Sequence, residues 1–187
     1  MKKQKTLLLL CNLFCCILSP LSAQKPATNP VIYADAPDMS MLRVGDTYYM
    51  SSTTMHMSPG VPIMKSNDLV NWKLVNYAYD TLANIPTMNL DDGKNTYGRG
   101  SWASCLRYHE GVYYLSTFAQ TTGKTYFYTT KNLEKGPWKC TEFSPAYHDH
   151  SFFFDEDGHI YMIYGNGKLF LAELKPDLSG VKPGTER

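Results

Sequence analysis

Two aspartates and a tryptophan occupy the same place in three successive repeats of this chain. Asp38 lies in Tyr33-Ala34-Asp35-Ala36-Pro37-Asp38-Met39-Ser40, and Asp149 lies in Tyr147-His148-Asp149-His150-Ser151. Between them, Trp102-Ala103-Ser104 fills the corresponding stretch. Each stretch leads into an apolar strand that opens a repeat. Two carboxylates and an indole gathered on one axis would suit a sugar, supplying a stacking face, an acid and a base. Aspartate also closes turns readily, so turn capping is the competing reading of both acidic positions.

The repeat is what must bring these residues together. Its unit is an apolar strand, a Gly turn, a Tyr-rich strand, a polar strand and a capping turn. The first copy runs Met41-Leu42-Arg43-Val44-Gly45-Asp46-Thr47-Tyr48-Tyr49-Met50, with Ser66-Asn67-Asp68-Leu69 after it. The second runs Cys105-Leu106-Arg107-Tyr108-His109-Glu110-Gly111-Val112-Tyr113-Tyr114-Leu115, followed by Thr130-Lys131-Asn132-Leu133. The third runs Phe152-Phe153-Phe154-Asp155-Glu156-Asp157-Gly158-His159-Ile160-Tyr161-Met162, followed by Lys175-Pro176-Asp177-Leu178. Repeated four-stranded units predict an all-β chain of the β-propeller type, in which one loop from each unit meets at the centre. No dozen residues carry a helical period. The irregular segment from Asp80 to Gly100, polar and ending just before Trp102, is expected to border the site.

The first 23 residues read as a secretory leader: Lys2, Lys3 and Lys5, an apolar run from Leu7 to Leu18, then Leu21-Ser22-Ala23. The run is too short and wrongly flanked for a membrane span, and a secreted or periplasmic location follows. Residues 24–187 then form the folded part, with 15 basic and 17 acidic residues once the three leader lysines are gone. No basic patch remains to attract nucleic acid or anionic lipid. Cys105 and Cys140 are too few for a disulfide scaffold and read as core residues, their pairing left open. Three repeats are fewer than the roughly four blades of the smallest common propellers, and the sequence stops at Lys182-Pro183-Gly184-Thr185-Glu186-Arg187. The expectation is the N-terminal part of a longer, truncated catalytic domain.

The stretch Ala36-Pro37-Asp38 with Arg43-Val44-Gly45-Asp46-Thr47-Tyr48-Tyr49 resembles the opening blade of glycoside hydrolase family 43. The likeness continues through Pro62-Ile63-Met64-Lys65-Ser66-Asn67-Asp68-Leu69-Val70-Asn71-Trp72, Gly100-Ser101-Trp102-Ala103, His148-Asp149 and Phe153-Phe154-Asp155-Glu156-Asp157-Gly158. That resemblance implies a five-bladed β-propeller, of which this chain holds about three blades. It implies hydrolysis of β-D-xylosides or α-L-arabinofuranosides of plant cell-wall arabinoxylan, with inversion. Asp38 would be the general base, kept ionised by hydrogen-bond donors, and Trp102 the sugar-stacking residue. Asp149 would orient the general acid and raise its pKa. The acid itself would be a Glu in a Glu-Gly-Pro context, which this sequence lacks; Glu142 and Glu173 are not in that context.

The family's usual Pro after the base is Met39 here, and the Pro often found after the second Asp is His150, so both loops are expected to be held less firmly. His56, on a loop past the first strand pair, is a further candidate for lining the pocket. No cofactor is expected from the residues present. Some members of the family hold calcium near the axis, through a His of a later blade. His148 and His150 would share one side of a strand and Asp149 the other, which argues against a shared metal ion. Two other readings stay open: a non-catalytic carbohydrate-binding propeller, and an inactive truncated fragment.

Overall fold

The computed structural model describes residues 27–187; the leader lies outside the described residues. Aromatic and β-branched runs punctuated by turn residues give eleven strands in three antiparallel sheets. Sheet I is β1 (Ser40–Val44), β2 (Thr47–Ser51), β3 (Gly60–Ser66) and β4 (Lys73–Tyr79), paired in that order. Sheet II is β5 (Cys105–His109), β6 (Val112–Ala119), β7 (Lys124–Thr130) and β8 (Lys139–Phe143). Sheet III pairs β9 (Ser151–Phe154), β10 (Ile160–Asn166) and β11 (Lys168–Leu174). The tail then runs back along β11, where Leu171 and Arg187 exchange backbone hydrogen bonds of 2.8 and 2.9 Å. Side chains fasten it as well: Glu173 N donates to Thr185 Oγ1 at 3.1 Å, Lys182 Nζ donates to Glu173 Oε1 at 2.5 Å, and the Tyr164 hydroxyl donates to Glu186.

The repeat has a physical basis in each copy. The hairpin of β5 and β6 turns through Glu110 and Gly111, both at positive φ (47° and 80°), as a two-residue turn matched to strand twist requires. After β3, β7 and β11 comes a turn closed by an Asp or Asn side chain. Asp68 Oδ1 accepts from the amides of Val70 and Asn71 at 2.9 and 2.8 Å. Asn132 Oδ1 accepts from Lys135 N at 3.1 Å, and Asp177 Oδ1 from Ser179 N at 3.0 Å. These donors hold the Asp68 and Asp177 carboxyls below their ordinary range.

Strand alternation then splits the core in two. Tyr126 and Tyr128 of β7 and Leu106 of β5 face sheet I, packing with Val61, Ile63 and Tyr79. Phe127 and Cys105 point the other way, into a cluster with Phe152, Met162, Ala172 and Leu174 of sheet III. The opening strands β1, β5 and β9 are neighbours and are stitched together. Leu106 N donates to Ser40 Oγ at 2.9 Å, and Arg107 Nε donates to Phe152 O at 3.0 Å. The loops before these three strands therefore lie at one end of one row.

Cys105 is core, as expected, whereas Cys140 is exposed on β8 and both thiols are free. They sit on the first and last strands of sheet II, three strand spacings or about 14 Å apart, far beyond disulfide reach. Asp80–Gly100 is not wholly irregular, since α1 (Pro86–Asn89) and a 3-10 turn (Asp91–Gly93) interrupt it.

The face of sheet III turned away from sheet II carries Phe153, Ile163 and Leu169, exposed to 39, 40 and 68%. Residues 27–187 on their own are expected to self-associate through such surface. Size-exclusion chromatography with light scattering checks this, and a strictly monomeric chain at tens of micromolar would contradict it.

Candidate active site

The loops carrying Asp38 and Asp149 share one backbone geometry. Each Asp stands two residues before the first strand of its sheet, at Ser40 and Ser151. Each is at positive φ, 51° for Asp38 and 47° for Asp149, a region few residues other than Gly, Asn and Asp enter. Both carboxylates are exposed. Backbone strain of this kind gathers at functional sites, where surrounding contacts must hold it.

Those contacts are specific. Thr53 N donates to Pro37 O at 3.3 Å, tying the residue before Asp38 to sheet I. The Thr53 hydroxyl donates in turn to Ser101 O, the residue before Trp102. Trp102 is fixed on three sides: its amide donates to Phe118 O (2.8 Å), Nε1 donates to Gly98 O (3.1 Å), and its carbonyl accepts from Thr117 Oγ1 (3.0 Å). The His148 ring meets Trp102 edge to face at 5.4 Å and also packs on Phe118 at 5.3 Å. His148 Nδ1 lies 3.3 Å from Asp149 Oδ2. Asp38, Trp102 and Asp149 are thus joined through one chain of contacts across the three sheets.

The pairing of His148 and His150 expected from strand alternation does not occur, because residues 147–150 form a turn rather than a strand. His148 turns toward Trp102, while His150 is buried at 4% exposure among Phe118 and Phe127. His150 Nδ1 faces Tyr147 O at 2.9 Å, an acceptor only, so Nδ1 carries the proton. Nε2 is then left to accept from Ser116 Oγ at 2.7 Å. Burial pushes its pKa down to about 4, keeping the ring neutral. His150 therefore ties the Asp149 loop to Ser116 and to Tyr147 O, at the position where the resemblance would place Pro. No group of three His, Cys, Asp or Glu side chains is arranged to share a cation among the described residues, so nothing here fits the calcium site that the resemblance raised.

His56 is half-buried behind this row. Its carbonyl accepts from Thr96 Oγ1 at 3.1 Å, and its ring meets Tyr97 edge to face at 5.5 Å. A Cβ on Gly100 would fall 2.0 Å from His56 O, so only Gly lets the two segments approach. The structure gives His56 no hydrogen bond to either aspartate. Glu142 pairs with Lys124 on sheet II, and Glu173 with Lys182 and His159 on sheet III. Both are engaged on outer strands, away from the row of loops.

A cleft of about 590 Å³ opens beside Trp102, lined by Gly98, Arg99, Trp102, Gln120 and Thr121. Sequence reasoning missed Arg99, because nothing in Tyr97-Gly98-Arg99-Gly100 marks it until the hairpin of β6 and β7 is seen to close over it.

Known proteins are similar to this chain in sequence and in fold. A β-xylosidase of Formosa agariphila is 41% identical over 135 residues, covering 70% of this chain and 22% of its own length. A non-reducing end α-L-arabinofuranosidase of Bacteroides ovatus is 38% identical over 118 residues, covering 62% of this chain and 22% of its own. A solved structure described as bifunctional GH43-CE, from Bacteroides eggerthii, superposes with a TM-score of 0.83 at 99% identity, covering 88% of this chain and 21% of that one. The chain spans about a fifth of the length of these relatives. The model of the glycosyl hydrolases family 43 matches residues 27–186, the whole of the described row of sheets and loops, and the chain belongs to that family.

Proposed function

We propose that this segment supplies the base side of the active site of a secreted or periplasmic pentosidase that cleaves β-D-xylosides or α-L-arabinofuranosides with inversion. The observation that carries the reading is the paired geometry of Asp38 and Asp149, at one repeat position, in one strained backbone conformation, joined through Trp102 and His148. The relatives' names, a β-xylosidase and an α-L-arabinofuranosidase, supply the substrate class. In this reading the three sheets are blades of a five-bladed propeller and residues 1–23 are the leader that exports it.

Asp38 takes a proton from the attacking water. Its exposure leaves room for that water at the carboxylate. Trp102 offers its ring face to the sugar, held by its own three hydrogen bonds so that stacking needs little reordering. Asp149 acts through charge: a carboxylate near the general acid disfavours the acid's ionisation and keeps it protonated at neutral pH. The acid is a Glu outside this segment. An inverting pair needs about 6.5–9.5 Å between base and acid to admit the water.

The test is direct. A polypeptide of the relatives' length carrying this segment is assayed on nitrophenyl β-D-xylopyranoside and α-L-arabinofuranoside, with proton NMR of the first sugar released. Hydrolysis with an inverted anomer is expected. Retention would overturn the mechanism, and failure to cleave either glycoside would overturn the function.

A further inference from the structure

Trp102 has two sides, and the cleft of about 590 Å³ beside it is large enough for a sugar unit. The only charged side chain lining it is Arg99; Gln120 and Thr121 add polar groups, and no Asp or Glu lines the cleft. No ion pair among the described residues includes Arg99. The backbone beneath this cation is nonetheless built in. Arg99 N donates to Thr96 O at 2.7 Å, and Arg99 O accepts from Thr121 N at 3.3 Å and Thr121 Oγ1 at 2.5 Å. The neighbouring Gly98 carbonyl is held by the Trp102 indole. An unpaired guanidinium on a fixed base, beside an aromatic wall, matches a planar carboxylate carried by a ring that stacks.

We propose that this cleft is a subsite for an acidic sugar, a uronate attached to or next to the pentose being cleaved, with Arg99 pairing its carboxylate and Trp102 forming the shared wall. The proposal rests on the pentosidase reading above, because that reading is what makes the occupant a saccharide. Arg99 is thereby a specificity residue: it selects decorated over plain chains and takes no part in bond cleavage.

The experiment is calorimetric titration of a turnover-deficient Asp38→Asn protein of the relatives' length with two xylo-oligosaccharides of equal size, one neutral and one bearing a glucuronate. Arg99→Leu is expected to weaken the acidic ligand about ten- to a hundredfold, the worth of a hydrogen-bonded charge pair, and the neutral one less than about threefold. Arg99→Lys should keep part of the preference, since it holds the charge but not the fork. Added salt should weaken only the acidic ligand. Equal weakening of both ligands, or no Arg99-dependent preference while the neutral ligand still binds, overturns the subsite alone. Binding of neither ligand to the Asp38→Asn protein with Arg99 intact overturns the pentosidase reading and the subsite with it.

Discussion

Asp38→Asn, in a polypeptide of the relatives' length, is expected to lower turnover of a nitrophenyl pentoside by about 10²–10⁴-fold, the usual worth of a positioned general base. Asn is the informative replacement. Asp38 sits at φ 51°, a conformation Asn adopts nearly as readily as Asp, whereas Ala would add backbone strain and confuse folding with chemistry. The side chain is exposed and makes no buried contact, so the fold should be unaffected. Loss should fall on kcat with KM little changed, because the base acts in the transition state rather than in ground-state binding. A variant that keeps more than about a tenth of wild-type turnover would remove Asp38 from the mechanism.

Asp149→Asn should behave differently. It is expected to leave residual activity and to move the basic limb of the pH–rate profile to lower pH. With one carboxylate neutralised, the general acid loses the charge that raised its pKa and gives up its proton sooner.

The three sheets were legible in the sequence because their signals are local. Gly45-Asp46, Glu110-Gly111 and Asp157-Gly158 mark hairpins, and Asp68, Asn132 and Asp177 mark the turn that closes each copy. Alternation along β7 places Tyr126 and Tyr128 in one core and Phe127 in the other. The position of Asp38 and Asp149 could be read from the repeat, but their shared left-handed backbone could not, since aspartate enters many conformations. The helix Pro86–Asn89 is too short to leave a periodic trace. The two histidines depart from strand alternation for a related reason. Strand alternation does not carry through a stretch that bends at Asp149, and the bend sends the two histidines to different environments.

That buried histidine gives the last prediction. In the folded protein the His150 pKa is pushed down to about 4 by burial, against about 6.5 in an unfolded chain. Above pH 6.5 the ring is neutral in both states and its contribution is complete. As the pH falls from 6.5 toward 4, the unfolded state takes up a proton that the folded state refuses, so stability is lost across that window. The shift corresponds to about 3 kcal/mol, all of it gone once the folded pKa is passed. The segment that suffers is the one carrying Asp149, since His150 holds it to Ser116 and to Tyr147 O. His150→Leu should lower stability at pH 7 by about 1–3 kcal/mol, because Ser116 loses its buried acceptor and Tyr147 O its donor. The same variant should flatten the decline between pH 6.5 and 4, leaving only what the carboxylates contribute. Thermal unfolding of both proteins across that range makes the comparison, with the difference between the two curves as the readout. Parallel curves, or a His150 imidazole signal that titrates near 6.5 by NMR, would show that the ring is not the buried neutral pillar of the Asp149 loop.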